Sequence, residues 1–159
     1  MITNWKNSKR KPVKICEIIS ILKKVSEQKN HKIIIGSDSV KSANEFIFAN
    51  AICIINDNNF YDRRFFYSRK KVLDSSYRNI SNRLLKETTE SIEIANMIKK
   101  EINNINIEIH ADVNFDSQFK SYKLKNTITG YVNGCGFKCI IKPDSFVASG
   151  IADLFTRKK

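Results

Sequence analysis

Proline and glycine are scarce, with 2 and 5 in 159 residues. So few breakers exclude collagen-like, proline-rich and glycine-rich flexible chains, and leave long segments free to become helices or strands. Cysteine is sparse as well. Cys16, Cys53, Cys135 and Cys139 show no paired CxxC spacing, which argues against a disulfide scaffold and reads as reduced intracellular thiols. A zinc site from Cys135 and Cys139 with His31 or His110 would have poor spacing for that metal. No apolar run nears the roughly 20 residues that a membrane span requires. The charged stretch from Met1 to Lys14 also lacks the apolar core of a secretory signal, so no membrane association is expected and the expected compartment is cytoplasmic. Acidic residues are outnumbered, 16 against 28 Lys plus Arg, giving a net charge of +12 and a pI near 9.6. Such a balance suits a polyanionic partner, although an AT-rich coding sequence would enrich lysine equally well.

The length fits one domain, spanning residues 1–159, able to bury a core without a structural metal. Lys11 to Gln28 repeats Ile15, Ile18, Ile19, Leu22 and Val25 at helical spacing, with Pro12 suited to a first helical position; this helix should pack on the remainder. His31 to Ser37, Glu45 to Ile55 and Phe60 to Tyr67 read as strands, the last two joined by a turn at Asn56-Asp57-Asn58-Asn59. Short links among the three imply an antiparallel meander. Ser76 to Asn103, beyond the basic cluster Arg69-Lys70-Lys71, has no Gly or Pro and is the longest expected helix. On its wheel Glu87 borders the apolar stripe of Leu84, Thr88, Ser91, Ala95, Ile98 and Ile102; Glu90 lies further round and Glu93 faces away. Asn104 to Val113 alternates as a half-buried strand. A helix over about Ser117 to Val132, a Gly134-Cys135-Gly136 stop, a strand from Phe137 to Ile141 and a closing helix from Ser145 to Lys158 complete the chain.

The order after the first helix is thus β-β-β-α-β-α-β-α, the order of the ribonuclease H-like α/β fold. It predicts a mixed five-stranded sheet flanked by helices, with an extra N-terminal helix and the first and fourth strands side by side. That pairing would bring Asp38, which follows Ile33-Ile34-Ile35-Gly36-Ser37, next to Asp112, which follows Ile107-Glu108-Ile109-His110-Ala111. With Glu87 on the long helix and Asp153 on the last one, the carboxylates form a candidate site for Mg2+ or Mn2+, which favour hard oxygen donors. Each alone has a plainer role, as a turn-capping aspartate or a solvated helix glutamate; it is their joint placement that points to phosphodiester chemistry.

Gly36-Ser37-Asp38-Ser39, Arg83-Leu84-Leu85-Lys86-Glu87, His110-Ala111-Asp112-Val113-Asn114, and Lys142-Pro143-Asp144-Ser145 with Ala148-Ser149 and Ala152-Asp153 resemble the YkuK-like family, a branch of the ribonuclease H-like superfamily. The likeness runs from about the first helix to the C-terminus and is most specific over Lys-Pro-Asp-Ser to Ala-Asp. It implies a metal-dependent nuclease with Asp38, Glu87, Asp112 and Asp153 as catalytic metal ligands, Glu90 being the rival for the helix position. Val40 departs from the usual Gln of the family after Asp-Ser. Around the carboxylates, Ser39, His110, Lys120, Lys142 and Asp144 are candidate substrate contacts. For His110 the alternative is a buried hydrogen-bonded strand histidine, for Asp144 a helix cap, and for Ser117, Lys120 and Ser121 a plain solvated turn. The basic groups Arg63-Arg64, Arg69-Lys70-Lys71, Lys120-Lys123-Lys125 and Arg157-Lys158-Lys159, interleaved with aromatics, suit RNA, DNA or hybrid backbones. Two other readings stay open: a catalytically silent nucleic-acid-binding module of the same fold, and a basic protein-interaction domain.

Overall fold

The computed structural model describes residues 4–28, 30–56, 59–114 and 116–156. Its sheet contains six strands in the order β1-β4-β3-β2-β5-β6. They are β1 (Lys6–Asn7), β2 (His31–Ser42), β3 (Glu45–Asn56), β4 (Asn59–Val72), β5 (Ile107–His110) and β6 (Lys138–Ile140). The helices are α1 (Ile15–Ser26), α2 (Ile80–Glu101), α3 (Lys125–Gly134) and the short α4 (Asp153–Thr156).

β2, β3 and β4 form the expected antiparallel meander, and β2 pairs in parallel with β5, which in turn pairs in parallel with β6. β2 and β5, the first and fourth of the strands expected from the sequence, are therefore neighbours, as the element order requires. The fold class read from the sequence holds, with one addition. β1 is a two-residue strand on β4 (Lys6 opposite Tyr67, Asn7 opposite Phe66), too short to leave a periodic signal.

Several boundaries move for local reasons. Pro12 does not start α1; it bridges to Lys6, because the Asn7 side chain accepts from the Lys9 and Lys11 amides and turns the chain back. α1 begins at Ile15, where Glu17 Oε2 accepts the Lys14 amide at 3.0 Å. β2 continues through Asp38 to Ser42, and β4 through the basic cluster to Val72, because the meander keeps pairing to its end (Ser42 opposite Glu45, Phe46 opposite Val72). Of the turn between β3 and β4, residues 57–58 lie outside the described residues, as does the cluster Arg157-Lys158-Lys159. The helix expected from Ser117 instead begins as a 3-10 turn, Lys120–Leu124, before α3. Gly136 has φ +81, the left-handed value that ends α3 and lets the chain turn into β6. The closing helix splits into a widened turn, Val147–Ala152, and α4.

One face of the sheet buries the larger core. Ile33, Ile35, Ile52, Ile54, Ile107 and Ile109 pack there against α1 and α2. Each fully buried isoleucine contributes on the order of 1.5–3 kcal/mol. The opposite face carries a smaller cluster of Ile34, Ala51, Cys53, Ile55, Val147 and Ala152, covered by the C-terminal segment. Among the described residues no helix is long and apolar enough to cross a membrane.

Candidate carboxylate active site

Side-chain alternation along β2 decides what each face receives. Ile33, Ile35, Ser37 and Ser39 share the parity that packs on α2, whereas Ile34, Gly36 and Asp38 share the parity that meets the C-terminal segment. β2 and β5 pair from Ile33 opposite Ile107 to Gly36 opposite His110. Asp38 and Asp112 each lie two residues further on, at the carboxyl end of this parallel pair. From here the chain winds through β3 and β4 to one side and β6 to the other, and such a switch point leaves a crevice open to ligand.

Asp38 is half-buried, and Thr156 Oγ1 donates to its Oδ2 at 3.1 Å. Burial chiefly, then the charges of Asp112 and Asp153, push its carboxyl up to about 7, against the pull of the Thr156 hydroxyl and the Ser39 amide. Glu87 comes from the other face, 7% exposed, and accepts from Ser39 Oγ at 2.5 Å. Burial holds its carboxyl well above the ordinary range; Asp38 and Asp112 add to this and Arg83 opposes it. Asp112 is half-buried and paired with Lys142 Nζ at 2.5 Å. Asp153 opens α4, whose Phe155 ring stacks on Tyr67 of β4 with centroids 3.6 Å apart and planes 6° from parallel. Four carboxylates from β2, α2, the exit of β5 and α4 thus occupy one neighbourhood, and the charges of Asp112 and Asp153 both bear on Asp38.

Glu90 lies one turn along α2 from Glu87. Its carboxylate, 1% exposed, accepts from Asn50 Nδ2 at 2.9 Å and is paired with Lys70 and, at 3.4 Å, with Lys86. Asn50 joins it to Ser37, whose hydroxyl also bonds Ser91 at 2.8 Å. The wheel placed Glu90 further round from the apolar stripe than Glu87; both are buried, and Asn50 of β3 and Lys70 of β4 reach the flank of α2 on which Glu90 lies.

The remaining candidates are spread out. His110 is 3% exposed; its Nδ1 accepts from the Val147 amide at 3.4 Å and its ring meets Phe146 edge-on. Burial lowers its pKa to about 4, so it is neutral at physiological pH. Ser121 is buried, accepting the Asn114 amide at 3.1 Å, while Ser117 and Lys120 are exposed. Asp144 is exposed, and its backbone carbonyl, not its side chain, accepts from the Phe146 amide. Sequence reasoning missed Thr156 and Asn50. A threonine at the end of an amphipathic segment carries no pattern, but a lone asparagine inside the apolar run Phe46 to Ile55 was a signal that a buried polar partner faces it.

Whether these groups suit a divalent cation rests on their chemistry. All are hard oxygen donors, Asp38 and Glu87 are raised in part by neighbouring negative charge, and Asp112 already holds an ammonium group in the place of a counter-charge. The donor set therefore fits. As placed, no group of three or more His, Cys, Asp or Glu among the described residues closes into a ligand cluster; Thr156, Ser39 and Lys142 each satisfy one of the oxygens instead.

Mixed sheet, flanking helices and acids at the switch point define an α/β protein with a candidate site at the carboxyl ends of two parallel strands. The family model described as Ribonuclease H-like matches residues 14–157, and the chain belongs to that family. No curated protein and no solved structure matches it.

Proposed function

We propose that the protein hydrolyses phosphodiester bonds of nucleic acid with Mg2+ or Mn2+ as cofactor. The observation that supports this most is the crowding of acids at the switch point: Asp38 raised to about 7 beside Asp112, Asp153 and Glu87, in a chain of net charge +12. A basic protein that buries repelling carboxylates bears a cost, and divalent cations would remove it. Asp38, Glu87, Asp112 and Asp153 would hold those cations. When bound, such ions supply Lewis-acid polarisation of a phosphoryl oxygen and a more acidic water. The chain's own residues do the positioning: Ser39 fixes Glu87, Thr156 fixes one oxygen of Asp38, and Lys142, 34% exposed, offers its ammonium to a substrate phosphate at the crevice edge. Within the family, the motifs around Asp38, Asp112 and Lys142-Pro143-Asp144-Ser145 favour the YkuK-like branch.

The second reading, a catalytically silent nucleic-acid-binding module, draws support from the Lys142–Asp112 pair and the absence of a closed ligand cluster among the described residues. Labelled single-stranded, duplex, hybrid and junction substrates with Mg2+ or Mn2+ distinguish the two. Cleavage by the wild type that is lost in Asp38→Asn and Asp112→Asn, with binding kept, supports the nuclease. Binding without cleavage by the wild type supports the silent module.

A further inference from the structure

The 3-10 helix Lys120–Leu124 follows the exit of β5 and presents three chemically distinct sides. In a 3-10 helix residues i and i+3 lie one above the other. Ser121 and Leu124 form the inner side: Ser121 is buried and binds the Asn114 amide two residues beyond Asp112, and Leu124 packs on the cluster of Leu84, Ala111, Val113 and Ile128. Lys120 and Lys123 form a second side, both exposed. Phe119, which caps the helix, and Tyr122, whose amide bonds the Phe119 carbonyl at 3.1 Å, form the third. These two residues are 51% and 40% exposed, a large apolar area to leave in water beside a cationic row.

We propose that this element is a stacking platform for single-stranded nucleic acid, with bases on Phe119 and Tyr122 and the backbone along Lys120 and Lys123. Ring faces accept any base, and adjacent cations take the phosphates, so binding is sequence-tolerant and salt-sensitive. One 3-10 turn separates the rings by about 6 Å along the axis. Stacked nucleotides of a duplex strand repeat at about 3.4 Å. The platform therefore suits bases splayed from one another, and a paired duplex, whose base faces are covered, cannot use it. An acidic peptide would satisfy the lysines but would leave the rings without aromatic partners. The helix is anchored near Asp112 through the bond between Ser121 and the Asn114 amide. The assignment rests on the nucleic-acid reading of the site, but not on turnover.

The test is fluorescence anisotropy of a labelled mixed-sequence oligonucleotide in EDTA, beside the matching duplex and a polyglutamate peptide of similar charge. Phe119→Ala/Tyr122→Ala should weaken single-strand binding by about thirtyfold or more, as loss of stacking on two rings predicts, and duplex binding by less than about threefold. Phe119→Tyr/Tyr122→Phe should restore it, and Lys120→Gln/Lys123→Gln should lower the salt slope by roughly 1.4. Because Phe119 and Tyr122 are exposed and only partly covered by the fold, the melting temperature should fall by a few degrees at most and leave the variants folded at the assay temperature. Equal losses for duplex and single strand, single-strand affinity unaltered by ring removal, or tighter binding of the polyglutamate would each overturn the platform. Cleavage is not read, so a failed nuclease assay and a failed platform remain separate results.

Discussion

Two buried glutamates one turn apart on α2 have opposite surroundings. Glu90 is matched by Lys70, Lys86 and the Asn50 amide; Glu87 has a serine hydroxyl, a nearby arginine and the repulsion of Asp38 and Asp112. A fold gains specificity from a neutralised buried charge and loses stability to an uncompensated one. The contrast therefore separates a carboxylate whose charge is matched within the fold from one that is held against burial and like charge.

The widest gap should be in chemistry. Glu87→Gln should lower phosphodiester hydrolysis by at least about a hundredfold, the scale on which loss of a charge-stabilising group acts. Glu90→Gln, measured in the same steady-state assay, should stay within about tenfold; equal losses would erase the distinction. Stability should run the other way. Glu90→Ala strands Lys70, Lys86 and Asn50 and should cost about 2–3 kcal/mol in urea unfolding, below the usual loss for a broken buried pair because Lys70 is 39% exposed. Glu87→Gln should be neutral or stabilising at pH 7.

Asp38 sharpens the comparison through pH. Its carboxyl sits at about 7 when folded against 3.8 for the unperturbed group, so between those values the folded state binds more protons than the unfolded state. Its contribution is most favourable below about pH 4 and is lost as pH rises through 7. Asp38→Asn should therefore raise Tm at pH 8 and not at pH 4, with a difference on the order of 1–3 kcal/mol. An identical gain at both pH values would contradict the shift. The smallest effect is that of metal: Mg2+ at ten times its Kd should stabilise the wild type by about 1.4 kcal/mol, and Asp38→Asn by much less, in thermal melts at pH 7.5.

The backbone frame was legible because β-branched runs and a long breaker-free helix leave strong periodic signals. Asp38 and Asp112 stood out because acids beyond apolar strands are few in this chain. The Glu90 network was not legible, since it depends on Ser37 facing Asn50 across β2 and β3, a matter of register that composition does not carry. The same holds for Ser121 and Leu124: their period of three interrupts the helix expected from Ser117, and only the docking of that turn on Asn114 and the small apolar cluster reveals why.

α4 is four residues long, far below the length at which a helix persists unaided. Phe155 lying flat on Tyr67 holds it to β4, and Thr156 ties it to Asp38 of β2. Assembly of the acidic cluster is thereby tied to this segment docking on the sheet, and a molecule with a finished sheet but an undocked tail would be folded yet without Asp153 beside Asp38.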